Sequence, residues 1–212
     1  MNELYNYRKE YIHTHLNESE VLEDPLLQFH FWFEEALKST IEEPHATVLS
    51  TVNKKLQPSS RIILLKKFDE SGFSFFTNYN SKKARELDEN PKASLLFPWH
   101  DMERQVRIEG IVEKVSEKDS DEYFRHRPSG SRIGAWASPQ SEVIPSREYL
   151  EKLENDLKQQ FDPKSIPRPP HWGGYRLIPN LYEFWQGRAN RLHDRIEYTL
   201  EKGEWIIKRL AP

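Results

Sequence analysis

Residues 105–115 read QVRIEGIVEKV. Val106, Ile108, Gly110 and Val112 alternate with Arg107, Glu109, Ile111 and Glu113, so one face is clearly more polar than the other. This period of two is that of a half-buried β-strand. The pattern extends in both directions. Upstream, residues 46–52, 61–68, 73–77 and 92–99 are β-rich, with turn-like Asn53-Lys54-Lys55 and Glu70-Ser71-Gly72 between them. Downstream, residues 175–178, 181–185, 195–200 and 205–210 return to strands, and Lys202-Gly203 suits a hairpin turn.

Helices fall between these runs. Asp24-Pro25 opens one over residues 26–38, with Asp24 as N-cap, Pro25 at the first helical position, and Leu26, Phe29, Phe33 and Leu37 at helical spacing. Ser81 caps a short helix over 81–90. Residues 120–126 form another, stopped near Pro128, and 146–161 a charged one with Leu150, Leu153 and Leu157 on one side. Residues 163–170 are a proline-rich connector. About eight or nine short strands in antiparallel-looking pairs predict a mainly β fold, a barrel with peripheral helices, rather than alternating βαβ units. Residues 1–24 read as a polar arm or short helix, and 25–212 as a single domain.

The composition narrows the function. There is no cysteine among 212 residues, which excludes disulfides, thiolate metal sites and a cysteine nucleophile. Thirty-one Lys and Arg against 34 Asp and Glu give a net charge of −3, which argues against a general nucleic-acid binder. Mean hydropathy is low at −0.84. Yet 6 Trp, 9 Tyr and 11 Phe speak for a folded chain. The polar start MNELYNYRKEY lacks a signal-like apolar stretch, and the longest apolar runs, 62–65 and 95–98, fall far short of the ~20 residues of a membrane span. A soluble, cytoplasmic protein is expected. No nucleotide-binding glycine loop, G-x-S-x-G or H-E-x-x-H motif is present, the histidines are scattered, and no metal is expected.

Four clusters can carry chemistry. Lys82 and Lys83 sit in the first turn of a helix, where the dipole disfavours cations. An anion bound there relieves the conflict, and solvation of the pair is the alternative. Arg61 and Lys66 flank an apolar strand and face opposite sides of it, so they serve one ligand only if the strand bends or the ligand lies across a dimer contact. Tyr123 and Arg127, four apart on a helix, with Ser131 just beyond, make an anion grip or an ordinary surface pair. Arg191, His193 and Arg195 share a face if that stretch is extended, and three such groups repel unless an anion neutralises them; His193 can also act as a neutral proton shuttle.

In order along the chain, these segments resemble the pyridoxine/pyridoxamine 5′-phosphate oxidase family. The matching segments are Arg8-Lys9-Glu10-Tyr11, RIILLK from Arg61, FFTN from Phe75, SLLFPW from Ser94, ERQVRIEG from Glu103, YFRHRP from Tyr123 and IGAWAS from Ile133. Gln140-Ser141, HWGGYR from His171, EFWQG from Glu183, RLHDR from Arg191 and the terminal RLAP complete the set. The resemblance implies an FMN-binding split β-barrel, a homodimer with FMN at its interface, whose C-terminal strands serve dimerisation and substrate binding. The implied reaction oxidises pyridoxine or pyridoxamine 5′-phosphate to pyridoxal 5′-phosphate, with O2 as acceptor and H2O2 as product. No nucleic acid or membrane partner is implied.

By position, the resemblance places FMN contacts at Arg61, Ile62, Ile63, Leu64, Leu65, Lys66, Phe76, Thr77, Lys82, Lys83, Gln105, Gln140, Ser141, Trp185 and Arg195. Substrate contacts fall at Arg8, Lys9, Glu10, Tyr11, Lys66, Tyr123, Arg127, Ser131, Arg191, Leu192 and His193, with Arg191 and His193 as the catalytic pair. Two positions depart from the commonest family pattern: Lys82 stands where arginine is frequent, and Phe76 where tyrosine is. Lysine keeps the charge but loses the bidentate fork. The rival classes are a nicotinamide-using split-barrel oxidoreductase and a non-enzymatic flavin or pyridoxal-phosphate carrier.

Overall fold

The computed structural model describes Tyr5, Glu10, Tyr11 and residues 14–212. Arg8 and Lys9 of the expected substrate set lie outside the described residues, as does much of the expected arm. The described chain runs α1 (Pro25–Lys38), β1 (Ala46–Val52), β2 (Pro58–Leu64), β3 (Lys67–Asp69), β4 (Gly72–Asn78), α2 (Lys82–Glu89), β5 (Lys92–Trp99) and β6 (Arg104–Lys114). It continues through α3 (Glu117–His126), α4 (Ser129–Ala137), α5 (Arg147–Gln160), β7 (Trp172–Gln186), β8 (Asp194–Glu201) and β9 (Glu204–Arg209). The strands hydrogen-bond in the order β2-β1-β5-β6-β7-β4-β3, and β8 joins β7 to β9. Among the described residues no helix is long and apolar enough to cross a membrane.

Most elements sit where the sequence puts them, and the departures have local causes. Asp24 caps α1 as expected, accepting a hydrogen bond from the Leu26 N–H at 2.7 Å. The buried face, however, is Phe29, Trp32, Phe33 and Ala36, while Leu37 is 51% exposed. The bulky indole of Trp32 moved the buried stripe by part of a turn. The single strand expected over 61–68 is two strands, β2 and β3, broken at Leu65-Lys66. Helix α3 begins before residue 120, because the Ser116 hydroxyl caps it by accepting from the Asp119 N–H at 3.1 Å.

Helix α4 was not expected at all; Gly130 and Gly134 lower its intrinsic propensity, and burial of Ile133, Ala135 and Ala137 offsets that. The strands expected over 175–178 and 181–185 are one strand, β7. It pairs with β4 over 172–177 and with β8 over 181–186. Pro179 falls between those stretches, where its missing N–H breaks neither ladder.

By contact density the chain divides into two units: residues 1–49, 94–110 and 179–212, and residues 50–93 and 111–178. The first has an aromatic core. Phe29 meets Phe97 with ring centroids 5.1 Å apart, and Trp32 meets Phe184 edge-on at 5.2 Å. Burying each such side chain contributes roughly 1.5–3 kcal/mol. The hairpin of β8 and β9 turns at Lys202-Gly203, both at positive φ, as the sequence suggested. The second unit is built on β4 paired with β7, with α3 and α4 packed through Phe124, Ile133, Ala135, Ile166 and Trp172. At Gly174, a Cβ would come within 2.7 Å of the Phe76 ring, so glycine is what lets that ring lie against β7.

Candidate active site

A hollow of about 730 Å³ opens in the second unit. Its lining joins Arg61, Ile62, Ile63, Leu64 and Lys66 with Phe76, Thr77 and Lys83, then Tyr123, Arg127, Ser131, Gln140 and Ser141. The break between β2 and β3 is what allows Arg61 and Lys66 to line one space. Of the expected residues in this unit, two stay out: Leu65 is buried in the core, and Lys82 pairs with Glu86 on its own helix at 3.8 Å.

The cations are held in different ways. The Arg61 guanidinium donates to the hydroxyls of Thr51 and Ser59 and to the buried Glu86 carboxylate, the last at 3.1 Å. Glu86 also accepts from Thr51 and Ser59, each at 2.6 Å. Lys83 instead donates to neutral oxygens, Thr77 Oγ1 and Gln140 Oε1, both at 3.1 Å. Burial, and then the charge of Arg61, push the Lys83 ammonium down to about 8. Arg127 caps the C-terminal end of α3, and burial lowers its pKa. Its Nη1 is buried and, among the described residues, has no hydrogen-bond partner. Burial also raises the Tyr123 phenol, against the charge of Arg127. Ser141 adopts φ 74°, a left-handed conformation that costs a non-glycine residue about 1 kcal/mol.

An aromatic wall completes the hollow. Phe76 stacks on Tyr123 with centroids 4.0 Å apart and on Trp172 at 5.6 Å. Trp172, His126 and Pro128 line the hollow without having been singled out as site residues. For Trp172 the available signal was its place before Gly173-Gly174, a pair that only a crowded strand needs.

The remaining expected residues belong to the first unit: Glu10, Tyr11, Gln105, Trp185, Arg191, Leu192, His193 and Arg195. Here the extended alternation imagined for 191–195 does not exist. Residues Ala189–Arg191 form a short 3-10 turn, with Asn190 and Arg191 at positive φ. Arg195 is neutralised within the fold: its Nε donates to Glu183 Oε1 at 2.8 Å, and its Nη1 donates to the Ala211 carbonyl at 2.8 Å. Arg107 pairs with the other Glu183 oxygen. His193 Nδ1 accepts the Arg188 backbone N–H at 3.1 Å, so the neutral ring carries its proton on Nε2. Its ring lies 4.7 Å from Trp185 and 5.4 Å from Tyr11. Tyr11 rests over Gly187, where any Cβ would come within 2.8 Å of its ring.

Comparison with known proteins places the chain in a family. Residues 33–153 match the family model described as pyridoxamine 5′-phosphate oxidase. The chain belongs to this family. Residues 172–212 match the model of the pyridoxine 5′-phosphate oxidase C-terminal dimerisation region. A pyridoxine/pyridoxamine 5′-phosphate oxidase of Polynucleobacter asymbioticus is 53% identical over 212 residues, covering all of both chains. One from Nostoc punctiforme is 55% identical, covering 97% of this chain and 96% of its own.

Among solved structures, PhzG from Burkholderia lata 383, in complex with tetrahydrophenazine-1-carboxylic acid, superposes with a TM-score of 0.87. It is 31% identical and covers 93% of this chain and 98% of its own. A pyridoxamine 5′-phosphate oxidase-related, FMN-binding protein from Nostoc punctiforme, 18% identical, has a TM-score of 0.71 over 89% of this chain and 98% of its own. The fold class is therefore the split barrel of this family, mainly β with added helices.

Proposed function

We propose that this chain oxidises pyridoxine 5′-phosphate and pyridoxamine 5′-phosphate to pyridoxal 5′-phosphate, using FMN and O2 and releasing H2O2. The amine substrate also takes up water and releases ammonia. One observation carries the reading: residues from β2, β4, α2, α3 and the 138–141 segment, far apart in sequence, line one hollow that joins cations, hydroxyls and aromatic rings.

The donor set fits a flavin phosphate and a phosphorylated substrate. Among the described residues Lys83, half-stripped of water, is bonded only to neutral oxygens and is completed by an anion; so is the buried Nη1 of Arg127, which has no partner among them. Arg61 and Lys83 hold the FMN phosphate, with Thr77, Gln140 and Ser141 supplying further polar contacts. Ile62, Ile63, Leu64 and Phe76 give FMN apolar and aromatic surface. When bound, FMN supplies the redox chemistry, accepting a hydride equivalent from the substrate and returning the electrons to oxygen. Lys66, Tyr123, Arg127 and Ser131 hold the substrate phosphate, which fixes the position of its ring. Arg191 and His193 act on the C4′ hydroxyl or amine. The working form is a homodimer, a reading supported by the match of residues 172–212 to the dimerisation region.

The test is the visible spectrum of the purified protein. A flavin spectrum that bleaches on anaerobic addition of pyridoxine 5′-phosphate, and recovers in air with formation of H2O2, is the expected result. A colourless protein that FMN cannot reconstitute, or a flavin that bleaches only with a nicotinamide donor, overturns the reading.

A further inference from the structure

Arg127 leaves α3 as its C-cap, and the described structure offers its guanidinium aromatic faces where a carboxylate would be usual. Its Cζ lies 4.6 Å from the centroid of the Trp172 ring and 5.8 Å from that of Phe124. Trp172 is a rigid platform. It is only 6% exposed, stacks with Phe76 and Tyr123, and meets Phe124 at 5.1 Å. Its backbone is also pinned: the Trp172 carbonyl accepts from Arg168 Nη1 at 2.6 Å, and Arg168 Nε donates to Asp121 Oδ1 at 2.5 Å. A carboxylate partner would orient Arg127 but would neutralise it. An indole face orients the guanidinium plane through its quadrupole and leaves both the charge and the edge donors unspent.

We propose that Trp172 is a positioning residue for the substrate phosphate, holding the Arg127 guanidinium oriented and un-neutralised until that phosphate arrives. This rests on the reading that Arg127 meets the phosphate of the substrate. Trp172 touches Arg127 rather than the reacting atoms, so its removal acts on binding and not on the chemical step.

The experiment is steady-state kinetics of the FMN-loaded enzyme with pyridoxine 5′-phosphate, with inorganic phosphate as a competing anion. In Trp172→Leu, KM and the phosphate inhibition constant rise together, roughly fivefold to thirtyfold, while kcat stays within about twofold. Trp172→Phe, which keeps an aromatic face, restores most of the affinity. In an Arg127→Ala background, Trp172→Leu raises KM no further. A Trp172→Leu enzyme with wild-type KM and phosphate inhibition overturns the proposal, as do additive effects of the two substitutions or a fall in kcat at unchanged KM.

If Trp172→Leu does not load FMN, fluorinated tryptophans, which keep the side-chain shape, take its place. A KM that rises with fluorination in the wild type but not in Trp172→Phe supports the proposal, and a flat KM overturns it. Failure of the underlying reading is separately visible, as wild-type protein that does not turn over pyridoxine 5′-phosphate or as Arg127→Ala with an unchanged KM.

Discussion

The hollow lined by Lys83 and Arg127 and the cluster around Glu183 are both rich in cations, and they treat charge in opposite ways. Around Glu183 the charges are balanced, two carboxylates, Glu183 and Glu109, facing Arg195 and Arg107. One carboxylate, 2% exposed, takes Arg195 on one oxygen and Arg107 on the other. In the hollow, Lys83 is bonded to neutral oxygens and Arg127 lies against Trp172. Arg61, also in the hollow, is the mixed case, paired with Glu86 yet lining the same space. Buried charge that is matched inside the chain holds a fold together. Buried charge whose hydrogen-bonding and ring neighbours are neutral can still be matched by an anion from outside the chain. Counting basic residues along the sequence does not separate the two, and the RLHDR segment shows why: Arg195 looked like half of an anion site and is largely spent on Glu183.

The largest effect should come from breaking the balanced region. Glu183→Gln keeps the shape but leaves Arg107 and Arg195 facing a neutral amide, a loss of about 3–5 kcal/mol in chemical or thermal unfolding. A variant as stable as the wild type would remove the contrast drawn here. The pH dependence follows from the same pair. Burial pushes the Glu183 carboxyl up, but the hydrogen bonds and charges of Arg195 and Arg107 outweigh it and hold the pKa below the ordinary value. Its contribution is therefore fully present above the ordinary glutamate range and fades as pH falls through the lower folded-state value.

A smaller effect belongs to the unbalanced region. Without an anion, Lys83 titrates near 8, well below its ordinary 10.5. Between those values the folded chain has released a proton that the unfolded chain retains, so stability rises with pH across that window. An anion needs the ammonium, so binding takes the proton back. FMN affinity, read by quenching of flavin fluorescence, should fall by about tenfold per pH unit above about 8. Lys83→Met should bind more weakly but without that slope. An equal slope in Lys83→Met would show that some other group titrates.

Much of this was legible in the chain. The period-two pattern of 105–115 and the caps at Asp24 and Ser81 reported local physics, and the structure kept them. The hollow was legible as a set of residues but not as a place. Nothing in RIILLK says that the strand breaks at Leu65-Lys66, yet that break lets Arg61 and Lys66 line one space. Glu86 and Glu183 were invisible as partners because a buried carboxylate reads like any other acid until its neighbours are known. Trp172 was missed for the converse reason: a lone indole beside two glycines reads as core, and it is core, with the Arg127 guanidinium also against its ring. Helix α4 went unnoticed because its stability comes from tertiary burial rather than from propensity.

The smallest predicted effect concerns His193, which the sequence offers as a neutral proton shuttle. Its Nδ1 lone pair is already committed to the Arg188 N–H, so the ring can take up a proton only by giving up that bond. Burial first, and then the charge of Arg191, lower its pKa, while Asp194 opposes them. The ring is thus held neutral with the proton on Nε2, and the stability it confers is lost as pH falls below the ordinary histidine range, where the unfolded chain protonates first. His193→Asn, whose side-chain oxygen can still accept from Arg188, should cost under about 1 kcal/mol in thermal unfolding, and His193→Leu about 1–3 kcal/mol, because it strands that N–H. Nitrogen-15 spectra of histidine-labelled protein near neutral pH should show a bare Nδ1 and a protonated Nε2. The opposite tautomer would remove the bond from the Arg188 N–H, and an imidazolium at that pH would mean that this region also keeps an unbalanced charge, so that the contrast with the hollow would fail there.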